Sequence, residues 1–371
     1  MDFTFSEEQA MMADSLSKAY EADYDFDKRR AFLEDTATFH SPAMWSTLAE
    51  LGFIGLLAPE DDGGIGGGGP ELLAVAQVLA KHMALEPFLP TSVMAVRLLM
   101  AAGEARPGEV MAALVSGEAT MAVALYEPER RYDTATVETS ASETDGGFAL
   151  TGRKAVVIGA DAAKWIAVPA RLDGGAVAVF LVESDAAGLE INPYRLVDGR
   201  GGADLELNQV AVPAAARLAL TDAAAALAEV EDWAVTASLA ETMGAMEMVS
   251  DLTLEYLQTR KQFGRPIGSF QVLQHNMADI MSEVEFARSM VVWAAAEVGN
   301  PDARARRHAV SGAKAYVDKA ARFVAEMSVQ LHGGVGVTDE YALTHHVKRL
   351  TLGQVLFGDR DEHLLRYAET G

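Results

Sequence analysis

The sequence predicts an α+β fold laid out as helices, then a small β unit, then helices again. Three observations carry this. Apolar residues recur at helical spacing over roughly the first 120 positions. From about Thr120 short alternating runs separated by turn residues replace them. From Glu229 the helical period returns in long segments. The domains are therefore read as 1–120 (all-α), 121–228 (β) and 229–371 (helical).

The totals bound what such a chain does. At 371 residues it is long for one simple domain, and half its residues are apolar, enough for a sizeable core. Lys and Arg number 30 against 54 Asp and Glu, a net charge of −24. That balance argues against nucleic acid and against an anionic membrane surface. Without cysteine there is no disulfide, thiol nucleophile or Cys-ligated metal. No apolar run reaches membrane-spanning length; the nearest approach, Ser92 to Ala102, is short and broken by Arg97. MDFTFSEEQ lacks the regions of a signal peptide, so a cytoplasmic location is expected.

Taken in order, Ser6 is an expected N-cap with Gln9 as its box partner. Met44, Trp45, Leu48 and Leu51 keep helical spacing, with Gly52 as C-terminal cap. Leu72 to Met83 is a further helix, ending before Pro87 and Pro90. The loop 58–69 contains a formal G-x-G-x-x-G at Gly64, Gly66 and Gly69. No strand leads into it, and Glu60, Asp61 and Asp62 would repel a pyrophosphate, so it reads as a tight surface loop. Strands are expected at Met121–Tyr126, Thr136–Ser142, Phe148–Leu150, Lys154–Ile158, Trp165–Val168, Ala176–Val182 and Leu205–Val212, as a small antiparallel barrel or sandwich. Long helices are expected over 229–258, 270–298 and 303–330.

The turn between the first two of these, RKQFGRPIGS from Arg260, carries more polar and aromatic groups than a helix connection needs. A second break, Leu331-His332-Gly333-Gly334-Val335-Gly336, follows about seventy residues later. Together with Phe3 to Gln9, Trp45 to Gly52, Gly152-Arg153-Lys154 and the Leu205–Pro213 strand, these motifs resemble the acyl-CoA dehydrogenase family over essentially the whole chain. Within it the chain is most similar to small subunits that pair with a related subunit, such as those of pimeloyl-CoA dehydrogenases. The resemblance implies an N-terminal helical domain, a middle β-barrel and a C-terminal four-helix bundle. It also implies FAD, an acyl-CoA substrate oxidised to the trans-2-enoyl-CoA, and electron-transfer flavoprotein or a similar acceptor.

By the same resemblance, Arg260, Phe263, Gln271, Gln330, Gly333 and Gly334 reach the FAD of a neighbouring subunit. The physics agrees: a guanidinium fork suits a pyrophosphate, a phenyl ring packs beside adenine, and glycine allows close backbone approach. The β-domain half departs from the family. Its TEP-x-x-GSD strand is Tyr126-Glu127-Pro128-Glu129-Arg130-Arg131 here, and its Trp-Ile-Thr is Val156-Val157-Ile158.

The base departs further. Family members place a Glu before a Gly in the last loop, or near the start of the long helix. Aligning from Glu340-Tyr341 puts Phe357 at the first position, and Ala234 holds the second. Glu241 lies seven residues beyond Ala234, about 20° short of two turns, so it shares that face about 10 Å further along. Its apolar neighbours suggest burial, which would suit a proton acceptor, or a purely structural carboxylate. Glu231 and Asp232 read as solvated charges, and His345, His346 and His363 as packing or surface histidines. Three readings follow: a subunit of a heterotetramer whose related partner supplies the base, a self-sufficient homotetramer using Glu241, or a catalytically silent scaffold.

Overall fold

The computed structural model describes residues 5–34, 39–105 and 107–371; Phe3 and Thr4 of the N-terminal motif lie outside them. Helices α1 (Glu7–Asp23), α2 (Phe26–Glu34), α3 (Pro42–Glu50), α4 (Gly69–Lys81), α5 (Val96–Ala101) and α6 (Gly108–Val115) come first. Strands β1 (Met121–Val123), β2 (Ser140–Thr144), β3 (Gly147–Ile158), β4 (Trp165–Leu172), β5 (Val177–Glu183), β6 (Leu189–Arg195) and β7 (Gly201–Pro213) follow. The chain then forms α7 (Ala223–Thr259), a hairpin of β8 (Lys261–Gln262) and β9 (Arg265–Pro266), α8 (Gln271–Glu297), α9 (Ala303–His332), α10 (Ala342–Gly353) and α11 (Arg360–Thr370). The family fold implied by the sequence is present.

Two compact units result. One contains the described residues up to Arg29, then Gly68–Ala84 and Val235–Gly371; the other contains Arg30–Gly67 and Leu85–Ala234. In the first, α1 opens on the expected capping box: the Gln9 N–H donates to Ser6 Oγ at 3.2 Å, and the Ser6 N–H to Gln9 Oε1 at 3.0 Å. Helix α9 packs along α8 and α11, with its alanine- and valine-rich face buried. Gly244 of α7 admits the α4 backbone; a Cβ there would lie 2.2 Å from the Gln77 carbonyl oxygen.

In the second unit, strand order is β1-β4-β2-β3-β7-β6, with β5 on the other edge of β4. Strands β1 and β2 both pair with β4 in parallel, so the sheet is mixed rather than wholly antiparallel. It curls around a core in which Phe148 and Phe180 meet at 4.9 Å between centroids. The apolar alternation of β7 holds at Leu205 and Leu207 and again at Val210 and Val212. Between them Asn208 and Gln209 both face outward, and Gln209 takes φ +54° at this bulge.

Some elements differ from the sequence expectation. Helix α7 begins at Ala223, earlier than 229. Strand β6 was not expected, because its burial alternates weakly and Pro193 interrupts it. Residues Leu89–Ala95 form a π-helical stretch directly preceding α5, although Pro87 and Pro90 suggested a break; a proline at the first turn is tolerated because that N–H has no helical partner. In the 58–69 loop, Gly64 and Gly66 donate to Pro59 O and Ala58 O at 3.0 and 2.8 Å. The glycine N–H groups are thus taken up inside the turn, as a tight loop requires and a phosphate cradle does not.

Candidate functional site

The hairpin after α7 and the turn after α9 hold the six residues assigned to the cofactor. Arg260 ends α7, its N–H donating to Tyr256 O at 2.9 Å, and Ile267 N–H closes back onto Arg260 O at 2.8 Å. Phe263 and Gly264 form the hairpin tip at φ +52° and +79°. Two left-handed residues in succession are the backbone of a tight two-residue hairpin. Phe263 is 91% exposed, its ring edge 6.2 Å from Phe270, over which the Arg265 guanidinium lies at 4.1 Å. Gln271 is exposed at the start of α8, where no side chain caps the first turn. Arg260 is exposed too, and among the described residues its guanidinium meets no hydrogen-bond or ion-pair partner.

The second piece lies at the end of α9. Gln330 is exposed, and Gly333 caps the helix at φ +64° and ψ −143°, a conformation only glycine takes readily. A Cβ on Gly333 or Gly334 would meet nothing within 4 Å. The backbone there is open to approach from outside. The two pieces are tied together by rings: Tyr256 of α7 stacks on His332 of α9 at 4.4 Å. The structure therefore brings the hairpin and the glycine turn to one end of one unit. An exposed cation, an exposed ring and open glycine backbone fit the diphosphate and adenine of the FAD that the resemblance implies.

The β-domain segments do not fit it as well. Glu127 is buried and accepts from Thr139 N–H (2.9 Å), Thr139 Oγ1 (2.6 Å) and Lys154 Nζ (2.8 Å). Burial pushes its pKa up, but Lys154 and the Thr139 donors outweigh that and hold it at about 2. Burial also pushes Lys154 below the usual ammonium range, more than Glu127 raises it. The pair is a fixed core element. Arg130 is paired with Glu138. Val156 is exposed at φ +52°, and its N–H donates to Asp204 Oδ1 at 2.9 Å, which also accepts from Tyr194 OH at 2.9 Å. The Asp204 carboxylate thus takes up this backbone donor within the chain.

Both expected base positions are closed. Phe357 is 3% exposed at φ +58°, and its carbonyl accepts from His363 Nε2 at 2.9 Å. Burial drives the His363 pKa down to about 3, so the ring is neutral and Nε2 carries the proton. Lys314, fully buried, donates to Gly353 O at 2.6 Å and to Asp318 at 2.6 and 2.7 Å. Burial outweighs pairing on both partners: Lys314 is pushed down and Asp318 up to about 6. Ala234 has no exposure. Beside it the Arg97 guanidinium lies 4.4 Å from the Trp233 ring, and Arg97 pairs with Glu229.

Glu241 is 6% exposed on α7, as its neighbours suggested. It stands nineteen residues before Arg260, about 28 Å along the helix, so it is not part of the hairpin cluster. Glu231 and Asp232 are corrected: both are buried, not solvated, and Glu231 accepts from Tyr126 OH at 2.9 Å. Tyr126 and the apolar face of α7 could have signalled this. His345, His346 and His363 are packing residues, and the described residues hold no cluster of three metal-ligating side chains. No helix among the described residues is long and apolar enough to cross a membrane. Sequence reading missed the Glu127–Lys154 pair and the Tyr256–His332 stack.

Comparisons with known proteins agree along the chain. Models of the N-terminal, middle and C-terminal domains of acyl-CoA dehydrogenases match residues 6–118, 122–210 and 232–370. Acyl-CoA dehydrogenase FadE27 of Mycobacterium tuberculosis is 34% identical over 80% of this chain and 79% of its own. Benzylmalonyl-CoA dehydrogenase of Aromatoleum aromaticum is 30% identical over 88% of this chain and 89% of its own. Among solved structures, a chain of the ChsE4-ChsE5 complex from Mycobacterium tuberculosis superposes with a TM-score of 0.89 at 29% identity, covering 100% of this chain and 98% of that one.

Proposed function

This chain belongs to the acyl-CoA dehydrogenase family, and we propose that it is one subunit of an FAD-dependent heterotetramer oxidising an acyl-CoA to the trans-2-enoyl-CoA. The observation that carries this is the contrast within one unit between an open hairpin and a closed base loop. Arg260, Phe263 and Gln271 are exposed on the hairpin and the start of the next helix, whereas Phe357 and Ala234 are buried where a carboxylate is needed. The similarity to a chain from a two-component complex supports the same arrangement.

In this reading Arg260 binds the diphosphate of a neighbour's FAD and Phe263 packs on its adenine. Gln271 and Gln330 hydrogen-bond its polar edges, and the Gly333–Gly334 backbone lets it approach. When bound, FAD supplies the hydride acceptor for the substrate β-carbon. The α-proton goes to a carboxylate of the related chain, because phenylalanine and alanine take no proton. Flavin content and acyl-CoA oxidation, measured on the chain alone and co-expressed with a related subunit, test this. Flavin and turnover should appear together only in the co-expressed complex. A yellow, fully active homotetramer from this chain alone would contradict it. The burial of Glu241 favours a second reading, a self-sufficient homotetramer in which Glu241 is the base; loss of turnover in Glu241→Gln would support that instead.

A further inference from the structure

His332 stands between Gln330 and Gly333, and the cofactor reading gives it no role. Its ring is buried at the end of α9 and stacks on Tyr256 with planes 27° apart. Nδ1 lies 2.8 Å from Ser328 O. A carbonyl only accepts, so Nδ1 carries the proton, and Nε2 is left to face Tyr341 OH at 3.4 Å. The Leu252 carbonyl of α7 also faces the ring, and burial pushes its pKa down, keeping it neutral.

Each contact leads to a cofactor element. Tyr256 is one helical turn before Arg260, and its carbonyl holds the Arg260 N–H at 2.9 Å. On the other side, a Cβ on Gly336 would come within 2.9 Å of His332 Cβ, so the Gly333–Val337 turn folds over this side chain. Thr344 Oγ1 fixes the far end of that turn, donating to Gly336 O at 3.0 Å.

We infer that His332 and Tyr256 are positioning residues that hold the Arg260 hairpin and the Gly333–Gly334 turn in register as one cofactor-gripping jaw. This rests on the cofactor reading above. Two gripping elements on different helices keep their spacing only if something fixes one helix end against the other.

The test is FAD titration, by flavin fluorescence, into the chain complexed with its related subunit after flavin removal. Hydrogen exchange at residues 333–337 is followed on the flavin-free complex. Tyr256→Leu removes the stacked ring. His332→Asn keeps a donor for Ser328 O but loses the ring. Both should weaken FAD binding about tenfold or more, as loss of supporting residues does at other bound groups, and both should speed exchange. Tyr256→Phe keeps the ring and should bind as wild type. Combined with Arg260→Ala, Tyr256→Leu should cost less than the sum of the two, since part of its effect runs through that side chain. Unchanged FAD affinity in both ring-removing variants, with or without lower thermal stability, would overturn the inference. A wild-type complex that takes up no FAD would overturn the cofactor reading beneath it.

Discussion

Phe263 and Phe357 both sit at positive φ, +52° and +58°, on connections between helices of the same unit. One is 91% exposed and the other 3%. A left-handed phenylalanine costs about 1–3 kcal/mol of backbone strain, which persists only where surroundings enforce it. For Phe357 the surroundings are in the chain: the His363 hydrogen bond to its carbonyl, and Lys314 on the Gly353 carbonyl. For Phe263, among the described residues, the support is the short β8–β9 ladder and the edge of Phe270. The difference teaches where each turn finds its partners. The Phe357 loop is held by side chains of its own chain; in the function proposed here the Phe263 hairpin meets its partner on a neighbouring one.

The largest expected effect comes from opening the closed loop. Lys314→Ala leaves the Asp318 carboxylate buried without its ammonium, and thermal or denaturant unfolding should show a loss of about 3–5 kcal/mol. Pairing it with Asp318→Leu should recover much of that. The same loop makes stability acid-sensitive. Burial holds the folded His363 at about 3 against an ordinary 6.5, so the unfolded chain takes up the proton first. The contribution is full above pH 6.5 and lost as pH falls toward about 3; His363→Gln should flatten that limb of a pH-stability profile.

Next in size is the open end. Arg260→Ala should leave the melting temperature unchanged but weaken FAD binding to the complex by about 1.5–3 kcal/mol, roughly ten- to a hundredfold, as for a lost charged hydrogen bond. Arg260→Lys should not restore it, lacking the planar fork. Smaller still, Phe263→Gly should relieve the left-handed strain and stabilise the chain by about 1 kcal/mol while weakening flavin binding. A variant that lost both stability and binding would show that the tip belongs to the fold. The smallest effect is expected at Glu241→Gln, whose complex should turn over acyl-CoA at the wild-type rate.

The layout was legible because the change of period at Thr120 and its return are physical: strands alternate their faces and helices do not. The Arg260 hairpin was legible because its residues exceed what a turn needs. The Glu127–Lys154 pair was not, since two charged residues twenty-seven apart give no hint of sharing a core. Glu231 and Asp232 were misread for a related reason. Charge argued for solvent and outweighed the apolar residues around them on α7, while the Tyr126 hydroxyl that bonds Glu231 lies over a hundred residues away in sequence. Strand β6 was hidden by Pro193 and by its half-exposed face. His332 was visible as a letter in the Gly333 motif, but its link to Tyr256 spans seventy-six residues of sequence.

The central claim is that this chain supplies half of a flavin site and no base. The most direct measurement is the flavin stoichiometry of the purified complex with its related subunit, beside that of the chain alone. One FAD for each pair of unlike chains, and none on this chain by itself, is the predicted result. One FAD per chain, with this chain binding it alone, would contradict the account.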